Sequence, residues 1–204
     1  ANRLGGNSLS DLIVFGHLAG HHAVEYARRK IVAPQVDEEQ VKAAMRHATS
    51  FLNRESGFNP YVLHEELQDM MQAKVGIIRT QQELEEAVID LEALEQKARE
   101  AKAHGSSQYN PGWHEAISLQ SLLISAKAVT HAALTRQESR GAHTREDFFG
   151  ESEEWGKYNI VVRKGKDGRM EVEKVQRTAP DAELERIAKS TIEDLEKEVS
   201  AEKA

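Results

Sequence analysis

Residues 113–139 read Trp-His-Glu-Ala-Ile-Ser-Leu-Gln-Ser-Leu-Leu-Ile-Ser-Ala-Lys-Ala-Val-Thr-His-Ala-Ala-Leu-Thr-Arg-Gln-Glu-Ser. No Pro or Gly interrupts the stretch. Trp113, Ile117, Leu122, Ile124, Ala128 and Leu134 spread apolar character over much of a helical circumference. Such a helix needs cover on most sides, so the stretch predicts the central helix of a bundle. Asn110-Pro111-Gly112 precedes it.

The flanking segments supply partners. Leu84, Val88, Leu91 and Leu94 are spaced four, three and three, which predicts a helix from about Thr80 to Ala103. Asn59-Pro60 opens another to about Val75, with Leu63, Leu67, Met70 and Met71 inward. Asp37 caps one running to about Asn53, with Val41, Met45, Ala48 and Leu52 on one face. Ser8, with Asp11 three residues on, starts a first helix to about Arg29 that carries Gly16 and Gly20. Beyond the long helix, Tyr158–Arg163 and Met170–Val175 alternate around Lys166-Asp167-Gly168, a β-hairpin pattern. Leu184, Ile187, Ile192, Leu195 and Val199 form the stripe of one last helix. The fold class is therefore mainly α: a helical bundle of three or more long helices, a small C-terminal β-hairpin and a final helix.

Totals narrow the chemistry. The 204 residues hold 27 Lys and Arg against 34 Asp and Glu, a net charge of −7, and the mean hydropathy is −0.61. That balance argues against a general nucleic-acid binder. With no cysteine, disulfides, thiolate metal sites and thiol nucleophiles are excluded from this chain. Uninterrupted apolar runs such as Leu12–Phe15 are too short for a bilayer, so a membrane role is expected to be peripheral.

Two segments carry chemistry. Ala1-Asn2-Arg3-Leu4-Gly5-Gly6-Asn7-Ser8-Leu9 puts an arginine on a glycine loop that feeds a helix N-terminus. Free amides and the positive end of the helix dipole favour an anion there, and a guanidinium adds a bidentate donor. A plain capped turn with a solvent-facing arginine fits the same letters. The other segment is Glu138-Ser139-Arg140-Gly141-Ala142-His143-Thr144-Arg145-Glu146-Asp147. It reads as a helix end with Gly141 at its C-cap, followed by a charged knot of Arg140, His143, Arg145 and Asp147 joining two domains. Metal sites are not expected. His17, His21 and His22 share a helix without an acidic third ligand in evident place, and His64-Glu65 and His114-Glu115 lack the second histidine of a zincin motif.

Together these segments resemble the flavoprotein subunit of succinate dehydrogenase and fumarate reductase, which carries Asn-Arg-Leu-Gly-x-Asn-Ser-Leu and later Glu-Ser-Arg-Gly-Ala-His-x-Arg-x-Asp. Met71-Gln72 with Arg79, and Trp155 before the hairpin, extend the resemblance over nearly the whole chain, and the insertion at His104–Tyr109 is similar to the actinobacterial type. The resemblance implies that Arg3 grips a carboxylate of succinate or fumarate. It implies that Asn7, Ser8 and Leu9 contact FAD. It also implies that electrons pass through an iron–sulfur subunit to a quinone-reactive membrane anchor, with the flavoprotein on the cytoplasmic face. It divides the chain into residues 1–33, the tail of an FAD-binding domain; 34–150, the bundle; and 151–204, the hairpin and last helix. The family's Gly-rich dinucleotide motif, flavin-linking histidine and proton-shuttling arginine are not in these residues. The chain is accordingly expected to be a piece of a longer protein, to hold FAD poorly and to be inactive alone. Two rivals are an L-aspartate oxidase and a non-enzymatic helical interaction module.

Overall fold

The computed structural model describes residues 7–30, 32 and 35–201. Helix α1 spans Asn7–Arg29, α2 Glu38–Ser50, α3 Pro60–Lys74, α4 Gln81–Arg99 and α5 Pro111–Thr135. Two-residue strands β1 (Ile78–Arg79) and β2 (Thr144–Arg145) pair in parallel. A 3₁₀ turn at Trp155–Lys157 leads into the hairpin of β3 (Tyr158–Lys164) and β4 (Met170–Gln176), and α6 (Ala182–Lys189) and α7 (Ile192–Ala201) follow.

Local chemistry explains the helix starts. Asp37, Asn59 and Asn110 cap α2, α3 and α5 with side-chain oxygens, and Pro60 and Pro111 open the latter two helices. Thr80 and Glu83 form a reciprocal capping box on α4.

The core is a three-helix layer. Leu63 and Leu67 of α3 meet Leu91, Leu94 and Ala98 of α4 and Ala116, Leu119 and Leu123 of α5, all buried. Each large side chain so buried contributes about 1.5–3 kcal/mol. Leu84, Ala87, Ala133 and Val75 make a smaller cluster at the other end. Alanines recur along α4 and α5, so the two backbones approach closely along this seam.

Helix α5 differs from its sequence expectation. One stripe is buried (Ala116, Leu119, Leu123, Ala126, Thr130, Ala133), not most of the circumference. Leu122 and Ile124 face outward, the latter 60% exposed. The cause is α2, which buries no residue. Its Val41 and Met45 are exposed, and it contributes mainly Phe51 at its C-terminal end, 1% exposed. The indole N–H of Trp113 donates to the Ala48 carbonyl at 2.7 Å and fixes that end to α5. By length and composition α5 could cross a membrane: an 18-residue window within it reaches a mean hydropathy of 1.2. Its uninterrupted apolar runs, being short, understate this. Its packing against α3, α4 and the hairpin makes it the core helix of this layer.

A second difference concerns its end. The helix stops at Thr135 with Arg136 as C-cap, so Ser139-Arg140-Gly141 is not the helix terminus. Gly141, at φ +59°, instead turns a tight loop in which Arg140 and His143 exchange backbone hydrogen bonds of 2.8 and 3.0 Å. The final helical stretch is present but breaks at Ser190–Thr191 into α6 and α7. The hairpin pairs Tyr158 with Gln176 and Lys164 with Met170, and Gly168, at φ +82°, makes its turn.

Gly57 marks one close approach. A Cβ there would collide with the Glu100 carbonyl and lie 2.8 Å from the Lys102 Cβ. This contact lets Phe58 bridge to Ala101 and closes the loop before α3 onto the end of α4.

Candidate functional site

The segment after α5 folds back over three helix ends. Arg145 is fully buried. Its Nη1 donates to the carbonyls of Ala133 (3.1 Å), Leu134 (3.4 Å) and Arg136 (3.3 Å). A cation thus satisfies the orphan carbonyls at the C-terminus of α5, where the helix dipole favours it. The Nε and Nη2 of Arg145 donate to the two oxygens of Asp147 at 2.8 and 2.7 Å. Nη2 also reaches Gln81 Oε1 at 2.8 Å, and the guanidinium lies 4.9 Å from the Phe148 ring centroid. Asp147 in turn accepts the Gln81 amide at 2.9 Å, at the N-terminus of α4. The Arg145 hydrogen bonds hold Asp147 down at about 2, against its partial burial and with help from the Gln81 amide.

Arg79 repeats the device on α3. Its Nε donates to the Gly76 carbonyl at 2.7 Å and that of Val75 at 3.3 Å. Its Nη1 donates to His143 Nδ1 at 2.7 Å. Arginine can only donate, so Nδ1 must accept, which puts the ring proton on Nε2. That nitrogen lies 3.1 Å from the Arg136 carbonyl and donates to it. Burial, with the cations of Arg79, Arg145 and Arg136, lowers the His143 pKa below its ordinary value, although the Arg136 carbonyl works the other way. Both ring nitrogens of His143 are engaged. Burial and the Arg145 charge also lower the Arg79 pKa.

Glu138 is the buried anion of the group, 1% exposed. Arg140 grips it bidentately at 3.0 and 3.1 Å, Arg136 pairs with it, and the Ser152 amide donates at 2.9 Å. Burial alone would raise its pKa. The hydrogen bonds from Arg140, Ser152 and Arg136 outweigh that and hold it at about 2. Arg136 Nη2 also donates to the Tyr158 carbonyl at 2.8 Å and lies 5.6 Å from the Trp155 ring centroid, so the knot reaches the hairpin. Lys174 of β4 stands 4.0 Å from the rings of both Trp155 and Tyr158.

The structure brings Arg140, His143, Arg145 and Asp147 into one loop beside the ends of α3, α4 and α5. It adds Arg79, Gln81, Arg136 and Glu138, which spacing did not place there. The available signal was Glu138 between arginines at two residues' distance on either side. Of the first motif, Arg3 lies outside the described residues. Asn7 begins α1, so Ser8 falls inside the first turn and not at the cap. Ser8 is half-buried and Leu9 is 67% exposed. The first turn of α1 contains no acidic residue.

The histidines of α1 have an acidic neighbour after all. Glu25 approaches His21 Nε2 and His22 Nδ1 at 3.5 Å each, because i+3 and i+4 lie on one face. Among the described residues no group of three or more ligating side chains could hold a metal ion.

A family model described as the fumarate reductase flavoprotein C-terminus matches residues 64–193, more than half of the chain and all of the knot. The chain belongs to this family. It is 35% identical over 167 residues to a subunit of the fumarate reductase (CoM/CoB) of Methanothermobacter marburgensis, covering 80% of this chain and 29% of that protein. It is 30% identical over 167 residues to the succinate dehydrogenase flavoprotein subunit of Coxiella burnetii, covering 81% and 28%. Among solved structures it superposes on a chain of the Mycobacterium smegmatis Sdh1 complex in the apo form with a TM-score of 0.84 and 38% identity, covering 95% of this chain and 35% of that one. A quinol-fumarate reductase with menaquinol molecules gives 0.77 and 29%, covering 89% and 32%. The chain thus spans about a third of the length of the flavoproteins it matches. The mainly helical fold, the hairpin after the bundle and the helices at the end agree with the sequence expectation for this family.

Proposed function

We propose that the chain acts as the C-terminal part of a flavoprotein subunit that interconverts succinate and fumarate. The observation that carries this reading is the co-occurrence of the Arg3–Leu9 loop and the Glu138–Asp147 knot on a chain with the fold of that subunit. Three parts share the work: residues 1–33 complete the FAD-binding domain, 34–150 form the bundle, and 151–204 carry the hairpin and last helices.

When bound, FAD supplies two-electron chemistry at its N5. Asn7, Ser8 and Leu9 would lie against it, where the N-terminus of α1 favours negative charge on the reduced ring. A helix dipole and a neighbouring cation make the flavin easier to reduce. Arg3 would hold one carboxylate of the dicarboxylate with its planar fork, so that the reacting C–H bond is aimed and the search for that geometry is already complete. Arg140, His143, Arg145 and Asp147 act as structural residues that lock the bundle beneath the flavin domain. His143, neutral and bonded at both nitrogens, holds its proton on Nε2 and does not shuttle it. Electrons leave through an iron–sulfur subunit to a quinone-reactive membrane anchor, with the flavoprotein peripheral on the cytoplasmic face.

The test is succinate-dependent dye reduction by the restored full-length protein, beside its Arg3→Lys variant. Lysine keeps the charge and loses the fork. Collapse of activity with FAD still bound supports the placement of Arg3. Oxidation of aspartate in place of succinate moves the protein to the oxidase. The 204-residue chain alone is expected to turn over neither, and succinate turnover by it refutes this division of labour.

A further inference from the structure

The small sheet of β1 and β2 has two outer edges, and they are finished differently. The Glu146 amide donates to the Arg79 carbonyl at 3.0 Å, so Arg79 turns its backbone groups towards β2. Backbone groups of successive strand residues point to opposite sides, so the N–H and C=O of Ile78 point away from β2. On the far side Arg145 faces outward in the same way, and Ser139 closes that edge. Its hydroxyl accepts the Arg145 amide at 2.8 Å and donates to the Arg145 carbonyl at 3.0 Å. Ile78 has no counterpart of Ser139. Among the described residues neither its N–H nor its C=O is hydrogen-bonded.

The open edge is apolar and held in place. Ile77 and Ile78 are 63% and 58% exposed. Arg79 is tied to the carbonyls of Val75 and Gly76, and Thr80 starts the capping box of α4, so the residues on either side are fixed. Exposed edges in soluble proteins are blunted by lysine, proline or a bulge, or else they are covered. Gly76-Ile77-Ile78 carries none of the blunting devices. A fixed donor and acceptor with apolar flanks is what an added strand pairs with. The small size of this edge selects the kind of strand. Two hydrogen bonds bring a small net gain, and two isoleucines fall far short of the roughly 800 Å² per partner of a stable interface. They do not offset the freedom lost by a separate molecule or a second copy. A segment of the same polypeptide is already held at high local concentration, so little is needed to seat it. The matched flavoproteins are about three times the length of this chain and supply such polypeptide.

We propose that an extended apolar segment of the flavoprotein subunit, from outside these 204 residues, adds to β1 at Ile78. It exchanges hydrogen bonds with the N–H and C=O of Ile78 and covers Ile77 and Ile78 with its own side chains. The sheet then has three strands, with β1 in the middle. Through it the knot that ties α3, α4 and α5 together also grips the rest of the subunit. The inference rests on the reading of this chain as part of a longer flavoprotein subunit, and not on its substrate.

The experiment uses the full-length flavoprotein subunit and has two readouts. The first is photo-crosslinking of an Ile77→p-benzoylphenylalanine variant, with the joined peptides identified by mass spectrometry. The expected product links this position to a peptide of the same polypeptide outside the 204 residues. The second is amide exchange of the wild type, in which the Ile78 amide should exchange at least about a hundredfold more slowly than in an unstructured peptide. A link only within the 204 residues, a link to a second copy or to another subunit, or no link overturns the proposal. So does an Ile78 amide that exchanges freely, whatever the crosslink. Succinate-dependent dye reduction by the same wild-type preparation keeps the two readings apart. Turnover without the expected link refutes the added strand alone, and the link with a protected amide but no turnover refutes the succinate reading alone.

Discussion

Arg145 and Asp147 stand two residues apart and serve opposite ends of two helices. The guanidinium closes the C-terminus of α5 through the carbonyls of Ala133, Leu134 and Arg136, and the carboxylate closes the N-terminus of α4 through the Gln81 amide. Each charge sits at the dipole end that favours it, and the two hold one another at 2.7 and 2.8 Å. One short loop thereby fixes the relative position of the two helices that share the main seam of the core.

Removing the cation should be costly. Arg145→Met leaves Asp147 unpaired and the end of α5 uncapped, so the unfolding free energy is expected to fall by about 3–5 kcal/mol. Urea denaturation followed by circular dichroism measures this. Asp147 is partly exposed, and Asp147→Asn should cost about 1–2 kcal/mol. A smaller effect for Arg145→Met than for Asp147→Asn would contradict the capping role.

Acid should loosen the knot before other parts of the bundle. Glu138 and Asp147 have pKa values held at about 2, below the ordinary values of 4.5 and 3.8. Above about pH 4.5 both are ionised in the folded and unfolded chain, and their contribution is complete. As pH falls towards 2 the unfolded chain takes up protons that the folded one refuses, and stability is lost across that window. Urea midpoints measured from pH 6 to pH 2.5 should drop accordingly, with a shallower drop in Asp147→Asn.

His143 predicts a second, milder slope. Its folded pKa is lowered from 6.5, so below that pH the unfolded chain binds a proton that the folded one resists, and stability declines as pH falls. Proton–nitrogen NMR should show a neutral ring with the proton on Nε2 at pH 6.5. A ring half-protonated at pH 6.5 or above contradicts the arrangement. Arg79→Gln removes a facing cation and should raise the His143 pKa.

The core prediction separates two residues that the sequence placed in equivalent stripes. Leu91 is 1% exposed and Met45 is 63% exposed. Leu91→Ala should cost about 2–5 kcal/mol, and Met45→Ala less than about 0.5 kcal/mol. Chemical denaturation of the two variants decides it.

These two residues also show what a sequence can and cannot disclose. The stripe of Leu84, Leu91 and Leu94 was legible because helical spacing states which side chains share a face. Val41 and Met45 share a face just as clearly, yet spacing does not say whether anything covers it. The same gap explains α5, whose apolar circumference implied more neighbours than α3, α4 and the hairpin provide. The end of α5 was misplaced because Gly141 is a common helix terminator, whereas the real stop is made by Arg145, nine residues beyond the Arg136 carbonyl it caps. The charged members of the knot were visible as a cluster. Arg79 was visible only as part of a resemblance, because its partner lies 64 residues away. For the first motif, the position of Asn7, Ser8 and Leu9 at the start of a helix was readable from glycines and small polar residues, while Arg3 lies outside the described residues.

The parallel pairing of β1 with β2 joins residues 66 apart, Ile78 to Thr144 and Arg79 to Arg145. Pairing of α4 with α5 needs only the short loop between them, and its contacts are nearer in sequence. Closing that loop is entropically cheaper than closing the long one. The strand pair and the arginines that ride on it should therefore assemble on the native side of the folding barrier. Loosening them would leave the folding rate nearly unchanged and speed unfolding. The segment that looks like a rigid joint in the finished protein is, in time, its clasp, and the lifetime of the folded state is set there.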